Sequence, residues 1–269
     1  MSAPHYLCPL CTKPLSRESS SYRCENNHCF DQAKEGYVNL LPVQHKHSKA
    51  PGDNKSMVNA RRAFLDKGYY QPLIDEILSL YKNFAQKDSP VLDAGCGEGF
   101  YTHQHKTDLN VVYGVDIAKE TIKIAAKRYK DCFFSVGTLS NLPFESAFFG
   151  WIFSIYAPIL EQEFSRVLTQ GGFLLTVTPA ESHLFELKSL IYREARKHDI
   201  NRSQINDMEL IEERKLTYVM NFNNGEDIVN LLAMTPFAFK TTPELLTTLQ
   251  NKTSFDCQAD FLIRLYKKR

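Results

Sequence analysis

The sequence lacks long apolar runs and an excess of charge of either sign. No run approaches the roughly 18 apolar residues that a membrane-spanning helix needs. Its 269 residues carry 32 Lys and Arg against 31 Asp and Glu, so a net charge of +1 provides no global basic field. The first residues, Met-Ser-Ala-Pro-His-Tyr, do not have the pattern of a signal peptide. We therefore expect a cytoplasmic protein without a membrane partner, in which any surface for nucleic acid is local.

The cysteines also lack the distribution that a disulfide framework needs. There are seven, an odd number, and four of them fall within the first thirty residues. The other three are scattered in apolar or glycine-containing contexts. This clustering at one end indicates a reducing compartment and a metal site.

The spacing of that cluster predicts a zinc site. Cys8 and Cys11 are separated by two residues, Cys24 follows after twelve more, and His28 follows after a further three. Three thiolates and an imidazole form a tetrahedral ligand set that zinc favours. Cys29 is a competing fourth ligand, although we prefer His28. A segment this short buries little core without a metal, so residues 1–42 are expected to form a zinc-binding module.

The next segment, residues 43–89, is predicted to be a basic connector followed by helices. His45-Lys46-His47-Ser48-Lys49 and the turn Pro51-Gly52-Asp53 are polar and partly basic, a composition found both in phosphate-contacting surfaces and in solvated linkers. Apolar residues at helical spacing then predict two helices between Met57 and Phe84. Arg61 and Arg62 on the first helix are expected to lie on a solvated face.

Residues 90–269 alternate strand and helix patterns, which predicts a mainly parallel sheet. Five strands are expected at 91–94, 111–115, 133–136, 151–155 and 173–177. A long helix is expected from about His183 to Ala195. Two late strands, at 216–222 and 255–266, and a helix at 225–232 complete the pattern.

The first of these strands runs into a loop with three glycines. Gly95, Gly97 and Gly99 follow Asp93 with the spacing G-x-G-x-G, which differs from the dinucleotide fingerprint G-x-G-x-x-G. Glycine allows a ligand to approach the backbone closely, and the start of a helix offers N–H groups that have no partner within the helix. The alternative interpretation is a glycine-rich turn that binds no ligand.

Asp116 supports a nucleoside-containing cofactor. It ends the second strand, about 20 residues after the glycine loop, where a carboxylate can accept hydrogen bonds from both ribose hydroxyls. Thr138 or Leu139, after the third strand, is expected to border the adenine. Together with the glycine loop, Asp116 indicates S-adenosylmethionine (SAM) as the cofactor.

The complete pattern resembles the RlmA-type 23S ribosomal RNA guanine-N1-methyltransferases. The resemblance runs nearly from end to end and is most specific in the segment from Lys34 to Pro42. The segments that carry it are Cys8–Cys11, Ala33–Pro42, Pro51–Asp53, Ala60–Leu65, Tyr69–Leu73, Asp93–Tyr101, Ile155–Pro158 and Met234–Phe237.

The resemblance implies an α/β fold, that of class I SAM-dependent methyltransferases with a Rossmann-like seven-stranded sheet, one strand of it antiparallel. It implies zinc on Cys8, Cys11, Cys24 and His28, in an N-terminal module, residues 1–42, that helps recognise RNA. The implied cofactor-binding residues are Tyr70, Asp93, Gly95, Gly97, Glu98, Gly99, Asp116 and His183. The implied reaction is methyl transfer from SAM to N1 of one guanine in a hairpin loop of 23S ribosomal RNA, in the class named for position 745, forming 1-methylguanosine. A homodimer is also implied.

The catalytic residues are less defined than the cofactor site. Tyr156 follows the fourth strand, where many base methyltransferases hold the target base, so its ring either stacks on that base or packs in the protein. No acid stands in this motif, and Glu35 and Glu161 are only weak candidates for a general base. Two other classes stay open: a small-molecule methyltransferase with a structural zinc module, and a non-catalytic RNA-binding protein.

Overall fold

A computed structural model describes residues 5–42, 55–86, 88–200 and 204–269. The predicted basic stretch His45–Lys49 and the turn Pro51–Asp53 lie outside the described residues. Within the described part of the chain, no helix is long and apolar enough to cross a membrane.

The N-terminal residues form a small antiparallel sheet with the order β1-β2-β3-β4. Its strands are β1 (Tyr6–Leu7), β2 (Pro14–Glu18), β3 (Ser21–Arg23) and β4 (Cys29–Asp31). Leu15 and Tyr22 are buried, whereas most other side chains of these strands are not, as expected of a sheet with one apolar face. The Tyr22 ring packs edge-on against Tyr6, with ring centroids 5.8 Å apart.

The large sheet has eight strands in the order β11-β12-β10-β9-β6-β7-β8-β5. Strand β12 is antiparallel to both of its neighbours, and the pairings from β10 through β5 are parallel. The strands are β5 (Val38–Asn39), β6 (Val91–Ala94), β7 (Val112–Asp116), β8 (Phe133–Val136), β9 (Phe149–Ile155), β10 (Leu168–Pro179), β11 (Met208–Phe222) and β12 (Phe255–Lys268).

This arrangement confirms the predicted fold class and adds one strand to it. The seven predicted strands are all present, and β12 is the antiparallel one. The eighth, β5, belongs to the N-terminal segment and pairs with β8 through Val38 opposite Ser135 and Asn39 opposite Val136. The backbone N–H of Leu40 then donates to the Val136 carbonyl at 2.8 Å. Division of the chain at residues 42 and 89 stays a prediction.

Helices pack on both sides of the large sheet's strands. They are α1 (Lys55–Asp66), α2 (Gln71–Phe84), α3 (Phe100–Gln104), α4 (Lys119–Arg128), α5 (Glu161–Val167), α6 (Phe185–Ile191), α7 (Gly225–Ala233) and α8 (Pro243–Gln250), with a short 3-10 helix at Pro236–Lys240. The two helices predicted between Met57 and Phe84 are confirmed. Their buried residues, including Phe64, Leu73 and Ile77, recur at helical spacing.

The long helix predicted from about His183 is wrong in its length. Leu184 has a left-handed backbone (φ +54°), so α6 begins only at Phe185, and it ends before Tyr192, which is extended. The following charged run, which includes the predicted Ala195, has no apolar stripe to place against the core. Helix α8 was not predicted, although its signals are local: Pro243 in the first turn and the Thr242 side chain accepting from the Leu245 N–H.

The core places the carboxyl ends of β6, β7 and β9 side by side. All seven residues of β9 are buried, with Trp151 and Phe153 on one face and Ile152 on the other. Such apolar strands are typical of parallel sheets covered on both faces. Because the parallel strands β6, β7 and β9 end together, the loops that follow them share one edge of the sheet.

Candidate functional site

The loop between β6 and α3 is formed by backbone conformations that favour glycine. Gly95 has φ +84° and Gly97 has φ +53°. A Cβ on Gly95 would lie 2.4 Å from the Cβ of Ala157, so no larger residue is accommodated there. The loop therefore lies directly against the segment after β9.

The third glycine of the loop serves packing more than ligand contact. A Cβ on Gly99 would lie 2.8 Å from Cζ of Phe134 and 3.0 Å from the Cβ of Ala125. Gly99 therefore packs against strand β8 and helix α4. It does not contribute to the wall of the cavity described below.

Asp116 holds the glycine loop with both of its carboxylate oxygens. Oδ2 accepts a hydrogen bond from the Gly97 N–H (2.9 Å), and Oδ1 accepts one from the Ala118 N–H (2.8 Å). These bonds connect the end of β7 to the loop after β6. The carboxylate is thereby placed on the wall of the cavity, at the end of the second strand of the core as predicted.

Asp93 lies beneath the loop instead of in the cavity. It is 2% exposed, and its Oδ2 accepts from the Thr102 hydroxyl at 2.6 Å. Burial raises its pKa to about 8, against the lowering effect of the Thr102 hydrogen bond. Asp93 does not line the cavity, so its observed contact holds α3 beneath the loop.

Glu98 is a buried acid on the cavity wall. It is 2% exposed, and neither carboxylate oxygen has a hydrogen-bond partner among the described residues. The nearest ion pair is with Arg128, whose Nη1 lies 3.7 Å from Oε2. Burial raises the pKa of Glu98 to about 7, and Arg128 opposes that shift.

These elements surround a cavity of about 730 Å³, a size ordinary for a small-molecule site. Six of the eight residues predicted to bind the cofactor line it, and Asp93 and Gly99 lie behind its wall. The six are Tyr70, Gly95, Gly97, Glu98, Asp116 and His183. Thr138 and Leu139, predicted to border the adenine, also line the cavity.

Two parts of the wall were missed from the sequence. Arg61 was expected on a solvated face, but it lines the cavity, with Nη1 3.8 Å from the position of a Cβ on Gly97. The segment Met234–Phe237 covers another part of the wall. Both belong to segments that carried the family resemblance, which was the available signal for them.

Tyr156 and His183 form a hydrogen-bonded pair on the wall. The Tyr156 hydroxyl lies 3.0 Å from Nε2 of His183, and the Asp260 backbone N–H donates to Nδ1 of His183 at 3.2 Å. Burial, followed by the influence of His198, lowers the pKa of His183 to about 3. Because both ring nitrogens already have hydrogen-bond partners, a ligand in the cavity can contact only the carbon atoms and the face of the His183 ring.

The predicted zinc ligands are brought together in the N-terminal module. One ligand atom from each of Cys8, Cys11, Cys24 and His28 lies within 4.8 Å of the others. The Sγ atoms of Cys11 and Cys24 are 3.7 Å apart, close to the spacing of about 3.8 Å that tetrahedral Zn–S bonds of about 2.3 Å require. The Nδ1 atom of His28 lies 3.4 Å from the Cys8 Sγ and 3.5 Å from the Cys24 Sγ.

The competing ligand Cys29 is placed elsewhere. It is exposed on β4 and is not a member of the four-residue cluster. Turns at the two knuckles, with Thr12 N–H donating to Cys8 O and Asn27 N–H donating to Cys24 O, direct the ligands inward. The donor set and its spacing fit zinc with His28 as the fourth ligand.

Comparison with protein families and known proteins agrees with both parts of the chain. Residues 6–49 match the family described as "RlmA, N-terminal", a zinc ribbon, and residues 91–172 match "Methyltransferase domain". The chain is thus a SAM-dependent methyltransferase by fold and domain, and its cofactors are SAM and zinc.

Three relatives show the closer relationship. A 23S rRNA (guanine(748)-N(1))-methyltransferase of Streptomyces fradiae is 34% identical over 67% of this chain and 65% of its own length, just under two thirds. YxjB of Bacillus subtilis, named as a candidate 23S rRNA (guanine-N(1)-)-methyltransferase, is 27% identical over 95% of this chain and 94% of its own. A protein of Micromonospora griseorubida with the same candidate name is 31% identical over 68% of each chain. The chain therefore belongs to the 23S rRNA (guanine-N1)-methyltransferase family.

Proposed function

We propose that this protein transfers the methyl group of SAM to N1 of a single guanine in a hairpin loop of 23S ribosomal RNA, forming 1-methylguanosine. One observation carries the proposal. Strand β5 joins the zinc ribbon to the sheet whose loops form the methyltransferase cavity. The same two parts match the family models of the ribbon and the methyltransferase domain, and the relatives are named for this reaction.

In this proposal the cofactor follows the glycine loop. Asp116 accepts hydrogen bonds from the ribose hydroxyls, Thr138 and Leu139 border the adenine, and the methionine part passes Gly95 and Gly97. Tyr70, Glu98 and His183 complete the contacts as cavity-wall residues. Asp93 and Gly99 act indirectly, because they fix α3 and the shape of the loop.

The acceptor guanine would enter beside Tyr156. This side chain is 46% exposed and lines the cavity next to Ala157 and Pro158, so its ring is available to stack on a base taken out of an RNA loop. SAM, when bound, supplies the electrophilic methyl group. Alignment of N1 with that methyl is the main contribution of the cavity to the rate.

The weak candidates for a general base do not stand near the reacting atoms. Neither Glu35 nor Glu161 lines the cavity. Glu161 accepts hydrogen bonds from the backbone and side chain of Asn206, both at 3.2 Å. Neither is therefore proposed as the base that removes the N1 proton.

The zinc ribbon is proposed to contact the RNA backbone. Arg17 and Arg23 lie on its exposed strands, and Lys13 forms a surface pair with Glu25 at 2.9 Å. Such a surface pair contributes little to stability, so a phosphate could displace its acid. We further propose a homodimer in the cytoplasm and the division of the chain at residues 42 and 89.

The test is transfer of labelled methyl from SAM to an RNA hairpin that carries the large-subunit loop, with nucleosides analysed by mass spectrometry. We expect 1-methylguanosine at one position, and mapping decides whether that position is 745, 748 or another guanine of the loop. Asp116→Ala is the matched inactive control. Methylation of a free metabolite but not of RNA, or binding of RNA without any methyl transfer, would contradict the proposal in favour of the two alternatives above.

A further inference from the structure

The short 3-10 helix Pro236–Lys240 presents an aromatic side chain to solvent. Phe239 is 74% exposed, more than any other large apolar side chain in the described part of the chain. Single exposed apolar residues are common on protein surfaces, so exposure by itself does not identify a site. The significance of Phe239 depends on where this helix lies.

The helix forms part of the cavity mouth. Pro236 and Phe237 line the cavity, and Pro236 is also exposed. Side chains three positions apart in a 3-10 helix lie on the same face, so Phe239 shares a face with Pro236. The buried Thr235, whose hydroxyl donates to the Leu232 carbonyl at 2.8 Å, joins the start of the helix to the end of α7. This Pro236/Phe239 face therefore continues the cavity wall outward to the surface.

A basic segment, residues 193–197, contributes no large apolar side chain to the core. It follows α6, has no regular secondary structure and reads Arg-Glu-Ala-Arg-Lys. Arg193, Arg196 and Lys197 are exposed, and Glu194 is the one acid of the segment. The segment is thus positively charged, although the net charge of the whole chain is only +1. A local basic surface of this kind attracts polyanions.

Both ends of the basic segment are held at the same cavity. The Tyr192 ring, directly before it, packs edge-on against Phe237, with centroids 6.0 Å apart. His198, directly after it, lines the cavity, and its backbone N–H donates to the Glu181 carbonyl at 2.9 Å. A short segment between these two contacts runs along the mouth of the cavity. Lys240, at the end of the 3-10 helix, adds another exposed cation.

An aromatic surface beside cations is the combination that binds single-stranded nucleic acid. Bases stack on the aromatic ring, and Lys and Arg contact the phosphates. When a guanine is taken out of an RNA loop into the cavity, the neighbouring nucleotide loses one of its stacking partners. The exposed Phe239 ring can replace that partner, and its place beyond Pro236 keeps it outside the position of the target base.

We propose that the basic segment and the Pro236/Phe239 face form an RNA-binding surface at the cavity mouth, in which Phe239 stacks on a nucleotide adjacent to the target guanine. This inference rests on the proposed function and adds a second contact surface to the zinc ribbon. The exposed cations of the basic segment and Lys240 contact phosphates of the loop. Tyr156 is left to the target base inside the mouth.

The first test compares two exposed apolar side chains. Phe239→Ala should raise the KM for an RNA hairpin that carries the large-subunit loop by roughly 5- to 150-fold, the range for losing one base–aromatic stack, with an unchanged Kd for SAM. Phe239→Trp should keep a KM close to that of the wild type, because its ring still stacks. Leu109→Ala is the matched control, since Leu109 is 64% exposed but precedes β7, at the edge of the sheet opposite the cavity.

Two results of this comparison would overturn the inference. One is an unchanged KM for RNA in Phe239→Ala. The other is an equal rise of KM in Phe239→Ala and Phe239→Trp, because a residue that acts by stacking is replaced by another aromatic residue.

The second test locates the stacked nucleotide. 5-Iodouridine is placed in turn at each position beside the target guanine, and irradiation joins it to an aromatic ring that stacks on it. Mass spectrometry of the digested wild-type complex should find one position joined to Phe239. The absence of any cross-link to Phe239, from every position, would contradict the stacking.

The third test concerns the phosphates. Each phosphate contact contributes about 0.7 to 0.9 to the slope of log Kd against log salt concentration, so Arg193→Ala/Lys197→Ala should lower this slope for the hairpin by about 1 to 2. The control, Lys82→Ala/Lys127→Ala, removes two exposed charges from the last turns of α2 and α4, which lead to the amino ends of β6 and β8. The same slope in the wild type and in Arg193→Ala/Lys197→Ala would refute the basic surface.

Failure of the proposed function gives a different result. If the wild type binds the hairpin and forms no 1-methylguanosine, the proposed function fails, whereas the salt slope and the cross-link still decide whether this surface binds RNA. If Phe239→Ala changes the oligomeric state in light scattering and leaves the KM for RNA unchanged, the Pro236/Phe239 face is a contact between copies of the chain and the inference is wrong.

Discussion

Asp116 is held in place by two backbone hydrogen bonds. Its two carboxylate oxygens accept from Gly97 and Ala118, so the loop after β6 and the start of α4 are fixed relative to one carboxylate. In the proposed placement of SAM, the ribose meets an acceptor whose position the protein fixes, so less conformational entropy is lost on binding. On that proposal, charge-assisted hydrogen bonds to the ribose are the main energetic contribution of this residue.

We therefore predict that Asp116→Ala weakens SAM binding roughly 10- to 100-fold, the range for losing a hydrogen bond to a charged group. Calorimetric titration of SAM into the purified variant measures the change. Asp108→Ala is the control, because Asp108 is an exposed acid outside the cavity wall. Equal affinities for wild type and Asp116→Ala would show that the ribose lies elsewhere.

At the scale of elements, the zinc ribbon is connected to the methyltransferase sheet by several kinds of contact. Strand β5 pairs with β8, and the Leu7 N–H donates to the Pro143 carbonyl at 2.9 Å. The Tyr6 ring packs against Tyr113 and Phe144 of the main core, with centroid distances of 5.9 Å and 5.5 Å. Unfolding of the ribbon would therefore disturb one edge of the large sheet.

We predict that Cys24→Ser abolishes stoichiometric zinc and lowers the free energy of unfolding by at least about 2 kcal/mol, because structural zinc contributes well above that in isolated fingers. Cys29→Ser is the matched control and should keep zinc and stability, since Cys29 lies outside the cluster. Elemental analysis and denaturant unfolding measure both. Loss of zinc from Cys29→Ser with retention in His28→Ala would reverse the ligand assignment.

At the scale of the whole molecule, several buried groups titrate differently in the folded and unfolded chain. Burial raises the pKa of Asp93 to about 8 and that of Glu98 to about 7. Both acids keep their protons in the folded state over a range where the unfolded state has lost them. The free energy of unfolding must then fall as pH rises from the unfolded pKa values, near 4, through the folded ones.

We predict a decrease on the order of 1–2 kcal/mol in the free energy of unfolding between pH 6.5 and pH 8, in the absence of SAM. Asp93→Asn should reduce this slope, because the amide does not titrate and its oxygen still accepts from Thr102. Urea unfolding at several pH values measures the slope. The same slope in both proteins would place the pKa of Asp93 outside this window.

Local patterns in the sequence determined the zinc ligands, the strands of the core and the acid at the end of β7. Each depends on spacing or periodicity within a short stretch, such as the two, twelve and three residues between Cys8, Cys11, Cys24 and His28. The resemblance to a family added Tyr70 and His183, for which spacing gave no signal, and the structure places both on one cavity wall.

Only the tertiary structure decided the features that join distant parts of the chain. Strand β5 pairs with β8, residues 133–136, at the edge of the large sheet. Arg61 lines the cavity because α1 packs beside the glycine loop. The break at Leu184 ends the expected long helix and places His183 against Asp260, 77 residues later in the chain. Contacts of this kind depend on how elements pack, and packing is not encoded in any one local pattern.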